Sequence, residues 1–312
     1  MRVLITGGAG CLGANILDHW EARGHSYLVI DNFATSAREV IDGQASVEVI
    51  DGDIADAPLV DTAFDRFMPD LVIHSAAAYK DPNDWRSDLR TNAEGTINVV
   101  NAAKRTGVQR FVNFQTALCY GRPDTTPIPV TAPARPFTSY GISKTAGESY
   151  VMMSGLNAVS LRLGNITGPR LSIGPIPTFY TRLKAGKGCF CSDTTRDFLD
   201  MEDFLAFLDL AIAPDAPRGV FNVSTGDGRT IKDVFDEVVR YLGVTLETPV
   251  PIVPPGDDDV ASVVLDPSET ERAFGWRAKV SFEQSLRRML AWYDVHGIKA
   301  VYSHVKKPEG RE

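Results

Sequence analysis

Strand-length apolar runs alternate with amphipathic stretches through the first half of this chain, and that alternation constrains the fold more than any other feature. Val3–Thr6 is an apolar run, followed by a helix-like stretch from about Leu12 to Arg23. Ser26–Asp31 and Val47–Asp51 are again strand-like, and Pro58–Arg66 reads as a helix. Leu71–Ser75 reads as a strand, Asn92–Thr106 as a helix, Arg110–Gln115 as a strand, Tyr140–Ser154 as a helix and Val159–Leu163 as a strand. Such alternation implies right-handed crossovers and a parallel sheet covered by helices on both faces. The expected fold class is α/β, a doubly wound parallel sheet, with ligands outside the carboxyl ends of its strands.

The second half has a different texture. Gly168–Pro177 is rich in Gly and Pro, and Thr248–Asp259 holds four prolines and three consecutive aspartates. These read as loops around a smaller C-terminal lobe, with Val220–Ser224 as a further strand of the main sheet. Residues 1–168 with about 198–224 are expected to form the main domain, about 169–197 and 225–300 the smaller lobe, and 301–312 a polar tail. With 312 residues, 44% of them hydrophobic, the chain can bury a sizeable core, and a disordered or collagen-like chain is excluded. A net charge of −8 argues against a dedicated nucleic-acid surface, while leaving room for a local phosphate pocket.

No apolar stretch approaches the roughly 18–20 residues of a membrane span. The first residues run straight into a glycine turn and so do not read as a signal peptide. Four cysteines in a chain of this size do not suggest a disulfide scaffold. The expected location is cytoplasmic. Cys189-Phe190-Cys191 lacks a second Cys/His cluster, so the pair is read as strand residues and no metal is expected.

Thr6-Gly-Gly-Ala-Gly-Cys-Leu-Gly13 sits between a predicted strand and a predicted helix. Gly7 permits a tight turn at positive φ, Gly10 lets the backbone approach a pyrophosphate, and Gly13 lets the helix pack closely. The amides of Cys11 and Leu12 then belong to a helix N-terminus that favours phosphate. Asp31 ends the next strand, 18 positions after Gly13, where a carboxylate accepts both hydroxyls of an adenosine ribose. Asn32 and Phe33 follow it rather than a cation, so NAD is favoured over NADP, with Arg38 the one nearby positive charge. Gly52-Asp53-Ile54 after the third strand offers two readings for Asp53: holding the adenine edge, or capping a turn or helix.

Tyr140 and Lys144 are four positions apart, so a helix presents them on one face. A free phenol titrates near about 10, and a base working near neutrality needs about 3 units of stabilisation, roughly 4 kcal/mol. A nearby ammonium and a positive nicotinamide ring both act in that direction. Lys144 can also hold the nicotinamide ribose. Thr116 lies just past Arg110–Gln115, at the ligand end, where its hydroxyl can share the oxygen that Tyr140 deprotonates. A packed ring beside a solvated lysine, and a structural threonine, are the bland alternatives.

Together these residues resemble the extended short-chain dehydrogenase/reductase family, in its nucleotide-sugar epimerase and dehydratase branch. The resemblance covers nearly the whole chain. It is also carried by His74-Ser-Ala-Ala-Ala78, Asn92, Gln115–Gly121, Leu161–Pro169, Arg196–Asp203 and Phe221–Ser224. It implies a Rossmann fold with a C-terminal substrate lobe. It places Thr116, Tyr140 and Lys144 in catalysis, Asn92, Ala76 and Ala77 beside NAD, and Asn165 and Arg196 against the sugar or diphosphate. It also implies a homodimer paired through Asn92–Thr106 and Tyr140–Ser154.

Dehydratases of the branch carry Asp and Glu directly after the threonine, and sugar-acid decarboxylases a Glu two positions after it. Ala117 and Leu118 occupy those places here and move no proton. The resemblance therefore implies a 4-epimerase acting on a nucleotide-diphosphate sugar with tightly held NAD, through a 4-keto sugar. A dehydratase, an NAD(P)-dependent reductase and a non-catalytic NAD-binding protein are the rival readings. Lys80, just beyond Leu71–Ser75, is either a cation for an acidic or hydroxylated sugar group or a solvated loop lysine. Two departures from the family pattern stand out. Cys11 replaces a bulkier aromatic residue in the turn, and Pro254–Asp259 offers aspartates where relatives place an arginine.

Overall fold

A computed structural model describes residues 1–44 and 46–298. The terminal stretch expected to be loosely held, 301–312, lies outside the described residues. The first ten of thirteen strands among the described residues run in chain order as β1 (Arg2–Thr6), β2 (Ser26–Asp31), β3 (Val47–Asp51), β4 (Leu71–His74), β5 (Arg110–Thr116), β6 (Ala158–Leu163), β7 (Asn165–Thr167), β8 (Cys191–Ser192), β9 (Thr195–Asp200) and β10 (Gly219–Val223). Seven of them make one all-parallel sheet in the order β10-β6-β5-β4-β1-β2-β3. The chain runs outward from β1 through β2 to β3, then returns to β4 on the other side of β1. The direction of winding therefore reverses between β1 and β4, which opens a crevice at their carboxyl ends.

Alternation along the strands feeds two cores. Val3 and Ile5 of β1 face one cluster, completed by Leu17 and Trp20 of α1 (Cys11–Trp20) and by Phe204 and Phe207. Leu4 faces the other, completed by Phe64 of α2 (Ala57–Phe67) and by Val99 and Val151. Both faces are covered, as the near-continuous apolar strands require.

Beyond α2, the helices are α3 (Trp85–Asp88), α4 (Thr96–Thr106), α5 (Ser139–Met153), α6 (Pro175–Lys184), α7 (Met201–Ala211), α8 (Ile231–Leu242), α9 (Ser268–Phe274) and α10 (Phe282–His296). Short strands β11 (Gly228–Thr230) and β13 (Ser262–Val263) flank β9 in a second sheet, which β7 joins through β9; β12 (Ile252–Val253) pairs with β8. A third core, with Phe179, Phe235 and Leu286, packs α6, α8 and α10 together. No helix among the described residues is long and apolar enough to cross a membrane.

Several elements differ from the sequence expectation. The helix expected to reach Arg23 stops at Trp20 and tightens into a 3₁₀ turn over Glu21–Arg23, closed by left-handed Gly24. The helix expected from Asn92 begins as a π-helix over Leu89–Gly95, and α-geometry starts only at Thr96. Pro175–Pro177, read as loop, open α6, where a proline lacking an N–H fits the first turn. Cys189 lies outside any strand, and only Cys191 is in one.

Candidate active site

The glycine turn closes over the β1/β4 crevice. Gly7 sits at φ +67°, and a Cβ there would lie 2.7 Å from the Ala76 Cα. That contact brings the ends of β1 and β4 together, and Ala76 and Ala77 line the passage half-buried. A Cβ on Gly13 would stand 2.5 Å from the Gly8 Cα, so this glycine lets the helix close on the turn itself rather than on the strand. Gly8, which the glycine spacing left out, packs instead against Val29 of β2. Gly10 is the N-cap of α1 and supplies no side-chain cap, whereas Asp56, Thr138, Asp200 and Ser281 cap their helices. The first amides of α1, Cys11 and Leu12 among them, are thus left for an anion.

Asp31 is buried beside this turn. Its Oδ2 accepts from the Ala9 amide at 2.9 Å, and its Oδ1 from the Phe33 amide at 2.8 Å and the Ser36 hydroxyl at 3.0 Å. A carboxylate offers about four acceptor directions, so room remains on Oδ2. Asn32 Oδ1 accepts from the Ala34 amide, shaping the next turn. Asp53 takes the turn-capping role: Oδ1 accepts from the Ala55 amide at 2.9 Å, and Oδ2 pairs with Arg90 at 3.3 Å. Ile54 is buried, and its carbonyl accepts from Asn98 at 3.0 Å. The Cys11 thiol points at the Pro169 carbonyl at 3.5 Å, and burial pushes it up to about 12. It is an inert tie between α1 and the start of the second half.

A buried polar chain links this turn to the second helix layer. Thr96 donates to the Asn92 carbonyl at 2.7 Å, so its oxygen is left to accept from His74 Nε2 at 2.9 Å. His74 Nδ1 then accepts from Thr6 Oγ1 at 2.8 Å, and Thr6 in turn accepts from the Ala76 amide at 3.2 Å. The directions are mutually consistent only for a neutral imidazole protonated on Nε2. Burial lowers His74 to about 3, and the Lys144 charge adds to that. Asn92 exchanges two hydrogen bonds with the Ala78 backbone, at 2.8 and 2.9 Å, and reaches Ser143 Oγ at 3.0 Å.

Thr116, Tyr140 and Lys144 converge where β5 ends and α5 begins. Thr116 Oγ1 accepts from the Leu118 amide at 3.1 Å and is hydrogen-bonded to the Tyr140 phenol. Lys144 is buried, and its Nζ donates to the Phe114 carbonyl at 2.6 Å. Gln115 reinforces the junction, donating from Nε2 to the Lys144 carbonyl at 3.1 Å and accepting the Thr116 amide on Oε1 at 2.8 Å.

The resting phenol is set against ionisation. Burial holds the phenol above its ordinary value, and Asp88 pushes it the same way. The Thr116 hydrogen bond works the other way, toward the phenolate. The Lys144 ammonium is turned to a strand carbonyl, and burial lowers it to about 8. The Tyr79 ring meets the Tyr140 ring edge-on with centroids 6.1 Å apart.

The residues assigned to substrate lie on separate elements. Arg196 is on β9 and Asn165 opens β7, which pairs with β9 in register Asn165↔Phe198. Arg196 is nearly buried and pairs with Asp259 at 2.5 Å. Lys80 is exposed, and its Nζ lies 3.5 Å from the Ala34 carbonyl, against the loop that follows Asp31.

Residues 3–224 match the profile of the NAD dependent epimerase/dehydratase family. The chain belongs to that family. Its seven-stranded fold is shared with solved relatives. Bordetella bronchiseptica WbmG, crystallised with NAD and UDP, is 62% identical over 99% of both chains, with a TM-score of 0.94. WbmH of the same organism, crystallised with NAD+, is 38% identical over 95% of this chain and 99% of its own, with a TM-score of 0.89. A UDP-glucose 4-epimerase of Corynebacterium glutamicum is 29% identical, covering 88% of this chain and 90% of its own.

In this epimerase/dehydratase family member, the supporting residues were the hardest to foresee. Asn92 was singled out, His74, Gln115, Gly8, Ser143 and Tyr79 were visible only within longer motifs, and Thr96 and Asp88 were missed. Ser143 and Thr96 carried a usable signal, since each sits one turn from a flagged residue on its helix. Asp88 carried none.

Proposed function

We propose that the chain is an NAD-dependent epimerase that inverts the carbon 4 hydroxyl of a nucleotide-diphosphate sugar through a transient 4-keto sugar. The observation that carries this reading is the meeting of Thr116, Tyr140 and Lys144 where β5 ends and α5 begins, with Ala117 and Leu118 next in line. Neither alanine nor leucine can take the carbon 5 proton or expel a hydroxyl, which sets dehydration aside. NAD fits the turn: Gly7 leaves no space for a side chain, the α1 amides have no side-chain cap, and Asp31 keeps an acceptor direction. Uridine diphosphate is the favoured nucleotide carrier, because WbmG was crystallised with UDP and the Corynebacterium relative is a UDP-glucose 4-epimerase.

Tyr140 takes the proton of the carbon 4 hydroxyl and later returns it, while Thr116 holds that oxygen. NAD, when bound, supplies a reversible hydride acceptor and a positive ring that favours the phenolate. Lys144 and Asn92 hold the site around its ribose and amide. The sugar turns about its diphosphate tether between the two transfers, so no net redox change results. Arg196, from a substrate lobe of about 169–197 and 225–300, and Asn165, at the edge of the main domain, hold the tether. Lys80 serves the cofactor side, since it leans on the loop after Asp31. The active form is proposed to be a homodimer joined by the face that carries Trp85, Leu89, Ile142 and Met153, all strongly exposed.

The test is product analysis after incubation with UDP-glucose, UDP-galactose and their N-acetyl and uronate forms, with no cofactor added. The expected result is an equilibrium of carbon 4 epimers for at least one of them. Release of a 4-keto-6-deoxy sugar, or no conversion by NAD-loaded protein, would overturn the reading.

A further inference from the structure

Arg196 is built into the second sheet as a half-used anion receptor. Its guanidinium carries five N–H donors. Nη1 donates to the Thr195 and Val260 carbonyls, both at 2.8 Å, and Nη2 to Asp259 Oδ1 at 2.5 Å. The Nε–H and one Nη2 hydrogen have no acceptor among the described residues. Those two donors suit the two oxygens of a phosphate group. The side chains of Arg196 and Asp259 are only 12% and 14% exposed, so solvent does little to screen the pair.

Asp259 is fixed as firmly as its partner. Its Oδ1 also accepts its neighbour's amide, from Val260 at 2.8 Å, and its own amide closes a turn onto the Gly256 carbonyl at 3.0 Å. The same loop is tied from the other side by Arg122, which donates to the Asp257 carbonyl at 2.7 Å and lies over the Phe137 ring at 4.5 Å. Two guanidiniums thus anchor the acidic loop, one from the strand below and one from the segment that follows the Thr116 turn.

We propose that Asp259 is a specificity-determining counter-charge, which occupies the inner side of the Arg196 receptor and weakens its hold on a diphosphate. An incoming phosphate group meets a neutral pair instead of a bare cation, and it meets the Asp259 carboxylate at close range. The penalty grows with the charge of the ligand. Such a site keeps its geometry for a diphosphate yet releases it readily, which favours turnover over retention. The inference rests on the nucleotide-diphosphate reading above.

Asp259→Asn separates charge from shape, because the amide oxygen still accepts from Arg196 and Val260. Calorimetric titration of the NAD-loaded protein with UDP and with UMP is the test. Asp259→Asn is expected to tighten UDP binding about tenfold or more, and UMP binding by a smaller factor. Asp259→Ala, made in parallel, is expected to shift UDP in the same direction even if the asparagine variant fails to fold. Unchanged or weaker UDP binding in the folded variants would overturn the proposal and make Asp259 a plain anchor. Failure of the NAD-loaded wild type and both variants to bind UDP would overturn the nucleotide reading itself.

Discussion

Tyr140 is held neutral by its own surroundings. Burial and Asp88 both oppose ionisation, and the Thr116 hydroxyl acts the other way. A phenol so placed returns a proton easily and gives one up only when a positive charge arrives beside it. Tyr140→Phe deletes the oxygen but leaves the ring against Tyr79. Turnover is expected to fall by about 100- to 10,000-fold with NAD still bound, measured by rate and by dinucleotide extracted per protein. A rate near wild type would deny Tyr140 its role. The Tyr-Lys spacing and the strand-end threonine were legible because they are local. The direction of the Lys144 ammonium was not, since the carbonyl that captures it belongs to β5, thirty positions away in the chain.

At the scale of elements, the chain Thr6–His74–Thr96–Asn92 ties β1, β4 and the π-helix into one unit. His74 is neutral when folded, titrating near 3, against an ordinary value of 6.5. Below 6.5 the unfolded chain binds a proton that the folded chain refuses, so stability is complete above 6.5 and is lost as the pH falls toward 3. Between pH 6.5 and 5 the loss from this group is about 2 kcal/mol. Urea unfolding of wild type and His74→Gln at those two pH values checks it: the variant should lack that part of the slope. Equal slopes would mean that His74 is not buried neutral. The strands and helices of the first half were readable because their periodicity reports which face is covered. The π-helix was not, because local pattern does not mark it; its Asn92 is bonded to the Ala78 backbone, a contact remote in sequence. The strands β7, β9, β11, β12 and β13 were hidden for a related reason, since each pairs with a partner remote in sequence, while Cys191 of β8 reads as a strand residue already in the sequence.

For the whole molecule, one parallel sheet of seven strands carries the glycine turn after β1 and brings it against the end of β4. Trp85, Leu89, Ile142 and Met153, on α3, the π-helix and α5, are 52% to 76% exposed. Sedimentation at micromolar concentration is expected to give the mass of two chains, and Met153→Asp combined with Leu89→Asp that of one; a wild-type monomer would refute the pairing. The central claim is that hydrogen leaves carbon 4 of the sugar and comes back to it without visiting solvent. The most direct measurement repeats the product analysis in ordinary water with a UDP-sugar deuterated at carbon 4 and no added cofactor. The deuterium should be found at carbon 4 of both epimers. An epimer carrying solvent hydrogen at that carbon would contradict the account.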